Sequence, residues 1–418
     1  MAVAIANTLL EEYRLQWQEL FNASQPDFSI RLAALDAFLE KGFPTTKQED
    51  WRYTNLAPIV KEHYLPQAKL TNFSGSFGHF GIPANRLVFI NGTYAPEFSE
   101  ILDSSILTIE PFQLSENDFY LTDNFNLLNR AFANNGLLIT IKKGQALQYP
   151  ILLILQYSDD TGRALVNNSN RIVAEENSQA HIIEFHQYGE SPVFNNTLTT
   201  VSLGQSANIS YQKVQAQVQN QVQVHQLYAQ LARQSVFTAN AFDFGGRVVR
   251  NNVRIDLNGE HAEVHLNGLY AMGDKAHIDN HLNVNHFAPN CHSNQLYKGL
   301  INDNATGVFN GRIFVAKDAQ KTNAFQSNKN ILLSDAANIT SKPQLEIFAD
   351  DVKCSHGSTT GQMDKQALFY LQARGLDKQQ ATALLNVAFA GEIIDRVTIE
   401  PLREWLVQSL NNSMGNAN

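Results

Sequence analysis

The sequence predicts a mainly β protein whose long body is a β-solenoid and whose two ends are helical. Short β-type runs such as RLVFI, GLLITI and HIIEF succeed one another from about residue 86. Within the body a weak period of 14 to 17 residues appears. A unit of this length fits one strand and one bend of a solenoid, and it is too short for a βα repeat. A β-sandwich with regular hairpins is the competing interpretation. The period is marked by small or apolar residues that open each run, apart from one glutamine: Ala262, Ala276, Cys291, Ala305, Gln320, Ala337 and Val352.

Helical spacing predicts the N-terminal end. Ile30, Leu35 and Phe38 lie on one face of a helix that Gly42 and Pro44 bring to a stop. The segment GFPTTKQEDWRYTNL that follows is a polar connector with embedded aromatic residues.

The C-terminal end is also predicted to be helical. Asp377, with Gln380 three positions later, has the spacing of a capping box before an apolar stripe. A shorter helix over 366–373 ends at Gly375, and Pro401 fits the first turn of a third helix. We therefore divide the chain into an N-terminal helical region (1–85), a β body (86–350) and a C-terminal region (351–418).

Composition excludes several classes of protein. The chain has 31 Lys and Arg against 40 Asp and Glu, a formal charge of −9, and no basic run, so it lacks the electrostatic footprint of a nucleic-acid binder. Two cysteines exclude a disulfide scaffold and a four-cysteine metal site. No apolar run is long enough for a membrane span, and the N-terminus lacks the basic segment of a signal peptide, so we expect a soluble cytoplasmic protein. The 42 asparagines suit tight bends or side-chain ladders between like strands.

The most reactive pair of residues in the sequence is Cys354 and His356. On an extended segment they point to the same face, where a thiolate and an imidazole can hold a thiophilic metal or handle sulfur. Two ligands fall short of the usual four, so the remainder must come from another chain or a small molecule. The alternatives are a structural cysteine beside a hydrogen-bonded histidine, or a Cys–His nucleophile without an evident oxyanion hole.

Other candidate sites are weaker. The pairs His261/His265 and His277/His281 have the helical chelate spacing, but on a strand residues i and i+4 lie about 13 Å apart, so we interpret them as solvated or stacked histidines. Asp350-Asp351 would be the acidic pair of a carbohydrate-active β-helix, but adjacent strand residues face opposite ways. No phosphate-binding loop is present, so any ATP dependence must come from a partner.

Several segments resemble the SufB/SufD family of iron–sulfur cluster assembly proteins. They are FNGRIFVAKDAQKTNAFQSNKNILLSD (309–335), KPQLEIFADDVKCSHGSTTG (342–361) and LFYLQARG (368–375), and the match is nearly unbroken from about residue 277 to 394. The segment 42–56 resembles an N-terminal motif of the branch that pairs with SufB. The short chain and its few cysteines also fit that branch better than SufB itself.

The resemblance implies a right-handed parallel β-helix and a non-catalytic scaffold role. It implies pairing with SufB through the β-helices, leaves a homodimer of the chain alone as an open alternative, and assigns ATP hydrolysis to the partner SufC. The KCSHG motif matches 353–357, and Ser358 stands where the family usually has Ala. In the family this histidine is implicated in cluster assembly at the SufB junction, which makes Cys354 and His356 candidate ligands of a transient iron–sulfur cluster that the chain alone does not bind.

The resemblance also implies that SufC binds the C-terminal region. We expect the apolar positions of its helices to contact SufC, while about half of that face packs on the β body. The candidate contacts are Leu368, Phe369, Leu384, Leu385 and Phe389.

Overall fold

The structure is a computed structural model that describes residues 2–66, 77–78, 80–115, 123–133, 136–158, 163–215 and 219–415, with side chains from residue 8 onward. Parts of the predicted N-terminal and C-terminal regions, 67–76, 79 and 416–418, lie outside the described residues. The helices are α1 (Ala2–Leu20), α2 (Phe28–Lys41), α3 (Ala57–Val60), α4 (Asn124–Phe132), α5 (Lys365–Ala373), α6 (Lys378–Ile394) and α7 (Glu400–Gly415), with short 3-10 turns at Glu49–Trp51 and Pro96–Phe98.

Twenty strands are described between the helical ends. They are β1 (Leu65–Pro66), β2 (Asn85–Ile90), β3 (Thr93–Tyr94), β4 (Leu107–Pro111), β5 (Leu137–Ile141), β6 (Ile151–Tyr157), β7 (Ala164–Ala174), β8 (Gln179–Tyr188), β9 (Val193–Leu203), β10 (Asn208–Gln215), β11 (Val222–Leu231), β12 (Val236–Asp243), β13 (Val248–Leu257), β14 (Glu263–Met272), β15 (His277–His286), β16 (His292–Ile301), β17 (Thr306–Val315), β18 (Asn323–Leu332), β19 (Asn338–Ile347) and β20 (Lys353–Gln362).

The strands build a β-solenoid, as the sequence predicts. From β5 onward, odd-numbered strands stack in one sheet and even-numbered strands in the other, so consecutive strands alternate between the two. Neighbours within each sheet pair in parallel and in register, for example Gln212 with Asn240 and Asn240 with Asn267. Parallel stacking excludes the hairpin sandwich. The stacked strands continue to Gln362, beyond residue 350.

The observed period comes from a repeated corner. Ala262, Ala276, Cys291, Ala305 and Ala337 each lie immediately before a strand and are buried at the inside of the bend. At these five corners the buried residue is small. Gln320 was wrongly included in the series, because the buried corner residue of that coil is Thr322, two positions later.

Left-handed backbone precedes many of these corners and makes the bend sharp. Positive φ angles occur at Asn290 (60°), but also at Ser206, Gln234, His261 and Lys321. Asparagine tolerates this conformation well, yet the corners accept other polar residues too. Only part of the asparagine content therefore serves the bends.

Buried amide ladders account for much of the rest. Asn240 Nδ2 donates to Gln212 Oε1 and Asn267 Nδ2 donates to Asn240 Oδ1, each at 2.7 Å, across three successive coils. Asn251 and Asn280 bond in the same way on the opposite sheet at 2.9 Å. Because like residues stack in register, each amide satisfies the next.

Helices cover the outer faces of both sheets. Residues of α1, α2 and α4 form one apolar cluster with Leu165, Phe194 and Val224 of the odd-numbered sheet. Residues of α6 and α7 form another with Ile183 and Leu269 of the even-numbered sheet. The sequence reasoning missed α4, which lies inside the predicted β body. The side chain of Asp123, immediately before the helix, caps it by accepting hydrogen bonds from two backbone amides.

The polar connector fastens the N-terminal helices to the solenoid. The Trp51 ring lies 4.5 Å from the guanidinium of Arg250, which is ion-paired with Asp279. Thr54 Oγ1 donates to the same aspartate at 2.5 Å. The aromatic and polar residues of this segment therefore have structural partners.

The C-terminal helices begin and end as predicted. Asp377 and Gln380 form the complete capping box of α6. Gly375, at φ 98°, follows α5, and Pro401 lies in the first turn of α7. Within the described residues, no helix is both long and apolar enough to span a membrane.

Candidate functional site at the open end of the solenoid

The last coil of the solenoid is uncovered. Among the described strands, β19 pairs only with β17 and β20 only with β18, so both end strands have an unpaired edge. Each is ten residues long, which makes an edge of about 30 Å. Most of β20 is exposed, whereas the equivalent positions of the preceding coil alternate between buried and exposed.

Cys354 and His356 lie on β20 and face the interior side of this last coil. They are in register with Ala324 and Gln326 of β18, both of which are buried. Within the part of the chain that the structure describes, no further coil covers this end, and His356 is exposed while Cys354 is half-buried. The predicted extended segment with both residues on one face is confirmed.

The two residues differ in their surroundings. Cys354 packs against a small apolar cluster that includes Ile313, Ala324 and Leu345. Burial raises the pKa of its thiol, against a smaller lowering by the Ala324 backbone amide. The free chain therefore presents a thiol rather than a thiolate at neutral pH, which makes it a poor nucleophile without further activation.

Ser358 occupies the next inward-facing position of β20. Its hydroxyl donates to Ser341 Oγ of β19 at 2.8 Å, across the open end. This hydrogen bond links the last two strands. The inward-facing side of β20 at the open end therefore carries small polar groups and the imidazole of His356.

The second cysteine has a structural position. Cys291 is fully buried at a solenoid corner, and its Sγ donates to the Gly259 carbonyl oxygen at 3.2 Å. Burial raises the pKa of this thiol to about 11. It therefore lies in the core, away from the end strands.

The C-terminal helices present an apolar surface beyond the last coil. Phe369 is 72% exposed, Tyr370 57% and Leu384 50%. Leu368 and Leu385 are half-buried. Phe389 lies against the solenoid, where its ring is 4.7 Å from Lys298 Nζ. The five positions expected to contact SufC thus divide into two exposed residues and three that are partly covered.

The other histidines considered from the sequence lie in earlier coils, and the aspartate pair lies in a bend. His277 bonds Thr54 Oγ1 at 2.8 Å, and His281 contacts Arg250, so both join the connector network. His265 Nε2 lies 2.8 Å from Glu263 Oε1. Asp350-Asp351 lies in the bend between β19 and β20 rather than on a strand. None of these pairs forms a shared chelate among the described residues.

The sequence reasoning missed a buried polar cluster inside the solenoid. Glu184 and His186 of β8 meet His225 of β11, and their ligand atoms all lie within 4.8 Å of one another. The only sequence signal is the alternation of Glu184 and His186 within the apolar run HIIEFH. The third member is 39 positions further along and can be found only once the coils are in register.

Comparisons with known proteins identify the family. The model for "SUF system FeS cluster assembly, SufBD core domain" matches residues 156–389, and that for "SufBD protein N-terminal region" matches residues 4–77. The chain belongs to the SufB/SufD family.

Relatives of this family cover nearly the whole chain. The iron-sulfur cluster assembly protein SufD of Escherichia coli is 30% identical over 96% of this chain and 96% of its own. The SufBD family protein slr0076 of Synechocystis is 29% identical over 91% and 90% of the two chains. The chloroplastic protein ABCI7 of Arabidopsis thaliana is 26% identical over 94% and 87%. This similarity supports a SufD-type member with a role in iron–sulfur cluster assembly.

Proposed function

We propose that this SufB/SufD family member is a non-catalytic scaffold subunit of a cytoplasmic SUF complex. In this proposal the open end of its solenoid pairs with SufB, and α5 and α6 bind the ATPase SufC. Cys354 and His356 then contribute to a site between the two solenoids at which an iron–sulfur cluster is assembled transiently.

The exposed imidazole of His356 and the half-buried thiol of Cys354, both at the uncovered end of the solenoid, carry this proposal. Both donors lie on the surface that a second solenoid would cover by continuing the two sheets. Two donors are too few for an iron site, so an incomplete set at an open end favours completion by a partner. Burial raises the pKa of the Cys354 thiol, so the thiol is protonated in the free chain. A metal ion or a cation of the partner would be needed to convert it to a thiolate, which also favours a site that a partner completes.

The anchoring and the exposed apolar side chains of the C-terminal helices support SufC as the second partner. Lys298 and Lys329 bond Glu392 at 2.6 and 3.4 Å, which fixes α6 to the even-numbered sheet. Leu384 of α6 and Phe369 of the preceding helix α5 remain exposed. Large exposed apolar side chains on an anchored helix favour a protein interface.

Co-purification tests the proposal. The tagged chain is expressed with SufB and SufC from the same organism, then isolated and reconstituted anaerobically with iron and sulfide. We expect both partners in stoichiometric amounts, ATP hydrolysis only when SufC is present, and iron with acid-labile sulfide on the complex. Recovery of the chain without SufB and SufC would contradict the proposal.

A further inference from the structure

The interior cluster of Glu184, His186 and His225 has the donor set of a transition-metal site. Glu184 Oε1 lies 2.8 Å from His186 Nε2 and 2.9 Å from His225 Nε2, and all three side chains are almost fully buried. The residues come from both sheets, so the cluster joins the two walls of the solenoid. We propose that it binds one divalent first-row cation, with Zn²⁺ and Fe²⁺ as the matching ions.

Ligand chemistry supports this assignment. Two imidazole nitrogens and one carboxylate oxygen suit Zn²⁺ and Fe²⁺, which they bind at about 2.0–2.2 Å. Three such ligands around one ion are about 3.3–3.6 Å apart in tetrahedral geometry. The observed separations of 2.8 and 2.9 Å therefore need to widen by about 0.4–0.8 Å, which side-chain rotations can supply.

An unsatisfied nitrogen points to a missing ligand. His225 Nε2 is buried, and its contact with Glu184 Oε1 at 2.9 Å is too poorly aligned for a good hydrogen bond. That oxygen lies off the direction in which a proton on this nitrogen would point. Leaving a buried nitrogen unpaired is costly, whereas a cation between nitrogen and carboxylate would satisfy both.

Surrounding residues already orient the ligands. Glu184 Oε2 accepts hydrogen bonds from Thr199 at 2.8 Å and Tyr211 at 2.5 Å, which turns Oε1 toward the two histidines. His186 Nδ1 lies 3.1 Å from Asn195 Nδ2, which donates to it, and 3.4 Å from the Tyr157 hydroxyl. When Nε2 binds a cation, Nδ1 carries the proton and donates a hydrogen bond to the Tyr157 hydroxyl instead. Outer partners of this kind are typical of metal sites, where they fix carboxylate orientation and imidazole tautomer.

Cys354 and His356 at the open end of the solenoid are also candidate metal ligands. The experiment therefore removes them, so that any bound metal reports on the interior cluster. The full-length chain with Cys354→Ser and His356→Ala is refolded with Co²⁺, which reports coordination through its visible absorption, and with Zn²⁺ for metal analysis after dialysis. Refolding admits the ion before the solenoid closes around the cluster. His225→Gln and His186→Gln are compared with the matched control His265→Gln, whose ring contacts only a half-exposed surface carboxylate.

We expect one equivalent of Co²⁺ or Zn²⁺ in the parent and in His265→Gln, without the thiolate charge-transfer band that cysteine ligation produces. Each ligand variant should bind at least 100-fold more weakly, while circular dichroism shows the same β content as the parent. Absence of stoichiometric metal in the parent would overturn the proposal. Unchanged binding in folded His225→Gln and His186→Gln would overturn it as well.

Discussion

At the scale of single residues, position in the coil decides what a side chain does. Cys354 and His356 are two apart on one strand, yet the thiol contacts an apolar cluster and the imidazole is exposed. The cysteine therefore contributes to the fold as well as to any chemistry. His356 has no comparable packing to lose, which makes it the cleaner probe of the site.

We predict that His356→Ala leaves the thermal midpoint of the isolated chain within about 2 °C of wild type, because surface substitutions usually change stability by less than about 0.5 kcal/mol. Iron and sulfide on the reconstituted SufB–SufC complex should fall sharply, since one ligand or sulfur-handling group is gone. The matched control is His265→Ala, a partly exposed histidine on β14, three strands before β20 in the same sheet. Normal iron and sulfide content in the His356→Ala complex would show that His356 is not needed for cluster assembly.

Buried histidines should make the fold sensitive to acid. Burial lowers the pKa of His286 to about 4, so its ring is neutral in the folded chain at pH 7. An unfolded histidine protonates near pH 6.5, so between pH 6.5 and 4 the unfolded chain binds more protons and stability falls as pH falls. From pH 7 to pH 5 this one residue should cost about 2 kcal/mol.

Urea midpoints at pH 7 and pH 5 measure this effect. His286→Gln should be less stable at pH 7 but should lose less stability on acidification than wild type. His181, His277 and His281 also have lowered pKa values through burial, so part of the pH dependence will remain. His261→Gln, which changes an exposed ring, should keep the wild-type dependence. An identical acid shift in His286→Gln would show that this histidine is not the titrating group.

At the scale of elements, the sequence predicts correctly those features that depend on one residue type and its immediate neighbours in the chain. Such features are the small corner residues, the Asp377 capping box and the positive φ angle at Gly375. Each satisfies a local steric or hydrogen-bonding requirement that is common to all proteins. It failed for α4, whose nine residues are too few for a clear period and are all buried against other elements. It also missed the cluster of Glu184, His186 and His225, because contact between them depends on the register of separate coils.

The C-terminal helices have an inner and an outer face with different roles. Ile393, Leu402 and Leu406 are fully buried against the even-numbered sheet, so removing 364–418 would expose part of the core. A test of partner binding must therefore change the outer face alone.

We predict that the double substitution Phe369→Ser and Leu384→Ser weakens binding to SufC at least tenfold, as expected for loss of two exposed apolar anchors. The thermal midpoint should not fall, because these side chains are 72% and 50% exposed. Leu15→Ser on α1 is the matched control, since Leu15 is 60% exposed at the other helical end. Calorimetric titration with purified SufC gives the affinities, and wild-type affinity in the double variant would place the interface elsewhere.

At the scale of the whole molecule, the two ends of the solenoid are built differently. The N-terminal end finishes in β4, of five residues, and β3, of two residues, both of which pair antiparallel to their neighbours. Short, reversed strands discourage further pairing. The C-terminal end finishes in two ten-residue parallel strands with open edges, a surface that isolated proteins normally avoid.

This asymmetry predicts that one charge at the C-terminal end blocks association with SufB. Thr360 is in register with buried Asn330, so its side chain faces the uncovered interior of the last coil. Thr360→Lys would put an ammonium group where a covering coil must exclude water, at a cost of several kcal/mol per desolvated charge. In the free chain the lysine stays hydrated, so folding and SufC binding should be unchanged. Thr45→Lys, at an exposed position of the connector, is the control for added charge.

Sedimentation of the purified chain with and without SufB measures the outcome. Wild type and Thr45→Lys should form the heterodimer, and Thr360→Lys should remain separate at the same concentrations. Any homodimer that the chain forms alone should be lost in the same variant, because both associations would use the one end that lacks a cap. A Thr360→Lys chain that still pairs with SufB at wild-type affinity would show that the partner approaches a side of the solenoid, and the location of Cys354 and His356 at its end would then need another explanation.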